Sequence, residues 1–255
     1  MRQRSQVPPI VVGLVVAALL AAPVWAQSTP QKQDTWRFDA TPYLWFAGLD
    51  GDVKIGRLPT GGVEASFSDI ASSLHFVAMG AFEGRKDRWG FLADAMYIDL
   101  SQSTSTPKGV AFGDVGASLT EQIYTGFASY RVLDGNVAVD VFAGPRYVSL
   151  ATDLDLTSGA AAGRAKSASV SWWDAVGGGR VLWRVHKGWS VMGFLDVGGG
   201  GSKLTWEALA GAGYEFNKLI SVKFGYRYLS IDYDTTELVY DMAMAGPYAG
   251  VGFRF

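Results

Sequence analysis

The chain has 255 residues, 49% hydrophobic and 18% charged, with a formal net charge of −2 and no cysteine. That balance gives a nucleic-acid partner no electrostatic footing, and the absence of thiols excludes a disulfide framework and thiolate metal sites. The charged share is below the roughly 25% of an ordinary globular domain, while 32 glycines, 9 tryptophans, 11 tyrosines and 14 phenylalanines dominate the rest.

The first element is a leader. Arg2 and Arg4 precede an apolar run from Ile10 to Ala22, and Val24 and Ala26 occupy the −3 and −1 positions of a cleavage site, the pattern of a secretory signal peptide over 1–26. As a helix the run rises only about 20 Å, short of the ~30 Å hydrocarbon core, and Pro23 ends it, so cleavage after Ala26 is expected. Removing the two arginines takes the net charge from −2 to −4. Residues 27–35 form a short polar linker, and 36–255 a single β domain. No later segment reaches the roughly eighteen apolar residues of a spanning helix.

Beyond the linker the pattern has period two, the mark of strands with unlike faces. Trp36, Phe38, Ala40, Pro42, Leu44 and Phe46 alternate with Arg37, Asp39, Thr41, Tyr43 and Trp45. A long polar loop is expected from Gly48 to Leu74, then strands from Phe76 to Lys86 and from Trp89 to Leu100 about a turn at "KDR". A polar loop, "SQSTSTPKGVAFGDVGAS", follows. Strands near 119–132 and 137–153 meet at "LDGN", those near 169–183 and 189–198 at "RVHKG", and those near 205–216 and 220–233 at "NKL"; the last runs from about Met244 to Phe255.

Ten strands, four tight turns and five open connections alternate strictly. An up-and-down membrane barrel has short turns at one end, longer loops at the other and an even strand number, and most runs exceed the nine to eleven residues a tilted spanning strand needs. The fold class expected is therefore all-β, a transmembrane antiparallel up-and-down barrel of ten strands, or of eight if the segments around 189–216 do not span.

The faces support this. Charged residues share one parity: Asp39, Glu83, Arg85, Asp94, Asp140, Arg146, Asp174, Arg180, Asp196, Glu207, Lys223 and Arg227, joined by Arg37, Glu215 and Arg254. Glu121 and Arg131 are placed with them, because that turns Tyr124, Tyr130 and Val132 outward. A soluble barrel would reverse the faces, with the apolar side inward. Two features oppose that. Aromatics fall in two bands, as in membrane girdles, with Trp36, Trp89, Trp183, Trp189 and Phe255 near the turns and Tyr97, Trp206 and Tyr228 toward the loops. The charged face is also rich in glycine, which suits a crowded lumen. The last strand, with Phe253 and Phe255 facing lipid and Arg254 the lumen, is expected to pair with the first and leave no open edge.

The leader, the alternating strands and the final "GVGFRF" resemble Gram-negative outer-membrane β-barrel proteins. "PYLWFAGLDGDV" and "GAGYEF…GYRYLSIDYD" are similar to a group of small, largely uncharacterised barrels within that family. The resemblance covers almost the whole mature chain. It implies an integral outer-membrane location, contact with outer-membrane lipid and lipopolysaccharide, and recognition of Phe253 and Phe255 by the outer-membrane assembly machinery. It brings no catalytic motif.

The interleaved charges read as a salt-bridged plug rather than a channel of one sign, because buried charges need partners. "GPRYVSL" (144–150) and "GYRYLSI" (225–231) echo each other, read as shared hairpin architecture in preference to a paired ligand site. The expected protein is a monomeric barrel of structural or surface-interaction type, with the Gly48–Leu74 loop as its leading contact surface. Two alternatives stand beside it: a narrow pore or transporter for small solutes, and a rim hydrolase using His75 with Ser72, Ser73, Asp69 or Asp99. His186 lies in a tight turn. "GGGGSK" (198–203) lacks the ending and helix of a phosphate loop and reads as a flexible outer loop. Asp50, Asp52, Asp153, Asp155, Asp232, Asp234 and Glu237 match no calcium-loop spacing. No catalytic residue, metal or cofactor is assigned.

Overall fold

The computed structural model describes residues 35–55, 61–105, 112–158, 164–236 and 238–255. The expected signal peptide and most of the linker lie outside them. Among the described residues twelve strands and one helix follow in order: β1 (Arg37–Trp45), β2 (Gly48–Ile55), β3 (Gly61–Ala65), α1 (Phe67–Ser73), β4 (Leu74–Lys86), β5 (Trp89–Ser105), β6 (Phe112–Leu133), β7 (Val137–Ser158), β8 (Arg164–His186), β9 (Trp189–Gly200), β10 (Leu204–Glu215), β11 (Ile220–Asp234) and β12 (Leu238–Arg254).

β1 and β4–β12 form a closed antiparallel wall of ten strands, each paired with its neighbour, with β12 returning to β1. The closure is specific: Asp39 stands opposite Arg254, and Phe38 and Phe255 exchange backbone hydrogen bonds of 2.9 and 3.0 Å. The segments around 189–216 do span as β9 and β10, so the count is ten, not eight. The four turns at the end carrying Arg37 and Phe255, hereafter the inner end, are tight. In the β8–β9 turn Lys187 (φ 41°) and Gly188 (φ 87°) both take the left-handed conformation that a two-residue hairpin requires. In the β10–β11 turn the Asn217 side chain accepts from the amides of Leu219 and Ile220, both at 2.8 Å.

The outer end departs from expectation in three ways. First, the Gly48–Leu74 stretch is not an open loop. β2 pairs with β12 from Gly48↔Ala245 to Ile55↔Leu238 and carries β3 on its far edge, because Leu49 and Val53 alternate with aspartates and pack on the buried apolar cluster. After it Ser66 opens α1 with a reciprocal capping box to Asp69, the sequence signal S-x-x-D having gone unread.

Second, much of the polar stretch after Leu100 is strand: Ser101 through Ser105 pair with Ser118 back to Asp114. Serine and threonine tolerate a solvated ladder once β5 and β6 are already in register. Third, short and long connections do not alternate strictly. Only Gly201–Lys203 separate β9 from β10, and "GGGGSK" is a tight turn: Gly201 N–H donates to the Trp173 carbonyl at 2.8 Å, and Lys203 N–H to that of Asp232 at 2.8 Å. The wall is therefore uneven. β8 continues nine residues past Trp173 toward the outside, about 20 Å along a tilted axis, whereas β9 ends level with Asp174.

The outer surface is apolar in two aromatic bands. Trp36, Trp89, Trp183, Trp189 and Phe255 are exposed at the inner end, Trp89 at 64%. Trp206 stacks on Tyr228 (4.6 Å) and Tyr97 meets Phe76 (5.8 Å) toward the outer end. This upper band continues through Tyr124, Tyr147 and Trp173, directly opposite one another across β6, β7 and β8; the sequence reading did not include Tyr147 and Trp173, although Arg146 and Asp174 fix their parity. Ten residues separate Trp173 from Trp183 on β8, which at ~3.3 Å per residue and ~40° tilt is about 25 Å, the height of a barrel's lipid-facing belt.

Candidate functional site: an ion-paired lumen

Along each strand the residues alternating with this outer surface point inward, and the lumen they fill is built in tiers. The innermost joins Lys223 to Asp39 (2.7 Å) and Thr41 (2.8 Å), and Arg254 to Glu215 (2.9 Å).

Above it, Asp140, 1% exposed, accepts from three arginines on three strands. Arg131 reaches it at 2.8 Å, Arg85 at 3.0 Å and Arg180 at 2.7 Å. Arg180 also makes a two-pronged bond to Glu83, both contacts 2.8 Å. Such planar, charge-assisted pairing suits guanidinium better than ammonium. Phe127, Phe142 and Phe194 then pack together inside the lumen, with centroids 4.6 and 4.7 Å apart for the pairs sharing Phe142.

The central tier is the driest. Arg146 has no exposed surface. Its guanidinium donates to Thr125 (3.1 Å), Thr205 (2.9 Å), Asp196 (2.7 Å) and Glu207 (3.1 Å), so β6, β7, β9 and β10 meet in one side chain. Arg227 takes Glu207 from the other side and donates to Asp94 (3.0 Å) and the Tyr43 hydroxyl (2.6 Å), with Trp45 beneath its guanidinium at 5.0 Å. Tyr43 in turn donates to Asp94 at 2.8 Å.

The two echoing stretches owe their shape to this tier. Each begins with a lumenal glycine where a neighbouring backbone lies too close for a side chain. A Cβ on Gly144 would sit 1.9 Å from the Gly126 carbonyl oxygen, and one on Gly225 2.2 Å from that of Ala210. Each then delivers an arginine, and both reach Glu207. The echo marks a shared ionic centre, which parity alone did not reveal.

Two expectations need correction. Asp174 is buried but lies outside the arginine network: it accepts from Trp172 Nε1 (3.1 Å) and the Ser202 amide (2.8 Å), fixing the short β9–β10 turn. The lumen is also not polar throughout. Above the central tier Met96, Ile123, Val148, Leu229, Ile231 and Met244 are nearly or fully buried, and Trp172 from β8 stacks on Tyr233 from β11 at 4.0 Å. Within this cap Glu121 accepts from the Tyr240 hydroxyl at 2.9 Å. The signal was present: on β6 and β7 the charged parity, followed outward, becomes Ile123 and Val148.

At the outer rim His75 Nδ1 does meet Asp99 Oδ2 at 3.0 Å. The hydroxyls near it in sequence face elsewhere, since Ser72 and Ser73 donate to the Asp69 carbonyl (2.7 and 3.3 Å), and Asp69 itself caps α1. His186 is exposed in its turn. Across β2, β12 and β11, Asp52, Asp241 and Asp232 stand in one row, with Lys203 paired to Asp234 beside them. Among the described residues no three histidine, aspartate or glutamate side chains are arranged to hold a metal ion. Asp155 and Glu237 carry no described side chain.

No family model matches the chain, and no curated protein matches it in sequence. Solved structures do match in fold. The outer membrane protease OmpT from Escherichia coli aligns with a TM-score of 0.50 at 9% identity, covering 91% of this chain and 99% of that one. The translocator domain of autotransporter NalP from Neisseria meningitidis aligns at 0.46 and 14%, covering 96% and 94%. The attachment invasion locus protein Ail of Yersinia pestis aligns at 0.37 and 11%, covering 86% and 98%. The fold is that of the integral outer-membrane β-barrels of Gram-negative bacteria.

Proposed function

We propose that this chain is a non-catalytic outer-membrane barrel whose lumen is plugged by its own side chains and which acts through its surfaces, not by conducting solutes. One observation carries the reading: Arg146, wholly without exposed surface, ties four strands together across the lumen. A water-filled path at that level would expose it. The apolar cap above and the phenylalanine cluster below support the same reading, since an aqueous pore lined by Met96, Ile123 and Phe142 would leave its walls poorly solvated.

The tall outer extension of β5–β8 and the β2–β3 hairpin with α1 are then the surfaces that meet partners outside the membrane. The aromatic bands contact lipid and lipopolysaccharide, Phe253 and Phe255 serve recognition by the assembly machinery, and the barrel is monomeric. The His75–Asp99 pair stays outside the proposal because neither neighbouring serine is turned toward it.

Planar-bilayer recording tests the reading. The mature protein should insert without steady conductance steps. Steady steps whose size falls in Arg146→Ala or Arg227→Ala would replace the plug with a narrow pore.

A further inference from the structure

The seam between β1 and β4 is not laddered to its full height. Pairing runs from Arg37↔Arg85 to Pro42↔Gly80 and ends there, although β1 continues to Trp45 and β4 reaches back to Leu74. Phe38 exchanges bonds with Phe255, and Phe46 donates to the Pro247 carbonyl. The even residues of β1 therefore turn their backbone to β12 and the odd ones to β4. The β4-facing groups of Tyr43 and Trp45 thus lie beyond the end of the ladder, and an unpaired edge is costly at membrane depth. Where pairing stops, a groove of about 350 Å³ opens, a size within the ~300–1,000 Å³ of small-ligand sites.

Its depth in the bilayer follows from β5. Ala93 and Ala95 line the groove and share an outward face with Trp89 of the inner aromatic band and Tyr97 of the outer one. On β1 and β4 it is floored by Ala40, Pro42 and Gly80, none of them bulky. Met79 and Ala81 also line it and pack inward on the buried apolar cluster. Toward the outer band Leu44 and Phe76 are exposed on the two sides of the seam, and Ala78 stands opposite Tyr97. The apolar groove therefore lies at hydrocarbon depth, with open backbone above it at the level of the outer interface. Below Pro42 the ladder is complete, so the seam opens to the outer leaflet alone.

We propose that the β1–β4 seam holds one acyl chain of an outer-leaflet lipid, with the chain in the groove and its ester or amide linkage against the open backbone of Tyr43 and Trp45. Hydrocarbon restores the dispersion contacts that an empty groove forfeits. The carbonyl of the linkage accepts from a strand N–H, and an amide donates in return. A purely apolar molecule would leave the backbone edge unpaired, and a hydrophilic solute would not enter a groove set within the lipid-facing belt.

The test places the full mature barrel in vesicles of phosphatidylethanolamine and phosphatidylglycerol doped with a phospholipid that carries a diazirine midway along one acyl chain. After photolysis, labelled peptides are mapped by mass spectrometry. Labelling should concentrate in residues 40–42, 79–82 and 93–95 and saturate as the doped fraction rises. At Gly80 a Cβ would make only an ordinary contact, 3.9 Å from the Thr41 carbonyl oxygen, so Gly80→Leu fills the groove without forcing the strands apart. Gly80→Leu and Ala93→Phe should each cut labelling of these segments about tenfold, while Gly193→Leu, on the lipid-facing side of β9, should not. Two results would overturn the proposal: labelling spread evenly over all lipid-facing strands, or labelling of the seam unchanged in both groove variants. Displacement of the label by free palmitate but not by unlabelled phospholipid would overturn the assignment to a membrane lipid.

Discussion

Arg146 on β7 and Arg227 on β11 donate to the same carboxylate oxygen, Glu207 Oε2, each at 3.1 Å. One glutamate thus holds two guanidinium groups that approach from different sectors of the wall. Neutralising it leaves both buried with a partner missing, a loss of about 3–5 kcal/mol. Glu207→Gln should lower the stability of the refolded barrel by that amount in urea titration, with the strand signal in circular dichroism retained at zero urea.

Asp196 is expected to behave differently although it touches the same arginine. The central tier holds three carboxylates, Asp94, Asp196 and Glu207, against Arg146 and Arg227. Asp196 Oδ1 is buried without a partner. Removing its charge relieves an excess, and an asparagine retains one acceptor toward Arg146. Asp196→Asn should therefore cost no more than about 1 kcal/mol. A loss equal to that of Glu207→Gln in the same titration would contradict this charge balance.

Part of this tier was legible in the sequence. The parity of Arg146, Asp196 and Arg227 follows from period-two reading, but the echoed Gly–x–Arg–Tyr stretches read as hairpin architecture and not as the ionic centre they share. That Glu207 joins them was not legible, because register across β7, β9, β10 and β11 depends on the shear of the closed wall. The apolar cap was hidden for another reason. Trp172, Tyr233 and Met242 are hydrophobic on the charged parity, and a rule assigning grease to lipid passes over them. The β2–β12 ladder went unread because its outward aspartates make the stretch look like solvated loop.

Glycine substitutions should separate lumenal from lipid-facing positions. At Gly144 a Cβ meets the Gly126 carbonyl oxygen at 1.9 Å, whereas at Gly193 nothing lies within 4 Å. Gly144→Ala forces backbone apart beside Arg146 and should destabilise by roughly 3 kcal/mol or more, as overpacking of a close-packed interior does. Gly193→Ala should be neutral or stabilising by about 0.5 kcal/mol through the unfolded chain. The same urea titration reads both.

The α1 cap should be sensitive to acid. The Ser66 hydroxyl and amide both donate to Asp69 and hold its carboxyl below the ordinary carboxylate range. A depressed carboxyl stabilises the cap fully above its unfolded value near pH 3.9 and ceases to do so as pH falls through the lower folded value. The Ser66 amide proton shift should titrate with a midpoint below about 3.9, and Ser66→Ala, which removes the hydroxyl donor but keeps the amide, should raise the Asp69 midpoint part of the way back toward it. A Ser66 midpoint above that value would remove the capping box.

The central claim is orientation: apolar side chains toward lipid, ionic ones into a closed, dry lumen. The chain has no cysteine, so single cysteines introduced one at a time from Val191 to Val197 on β9 can each carry a nitroxide in a reconstituted bilayer. Collisional accessibility to dissolved oxygen should peak at 191, 193, 195 and 197 and fall at 192, 194 and 196, with the even positions also shielded from a water-soluble nickel complex. Even positions open to the nickel complex, or a profile without period two, would contradict the arrangement described.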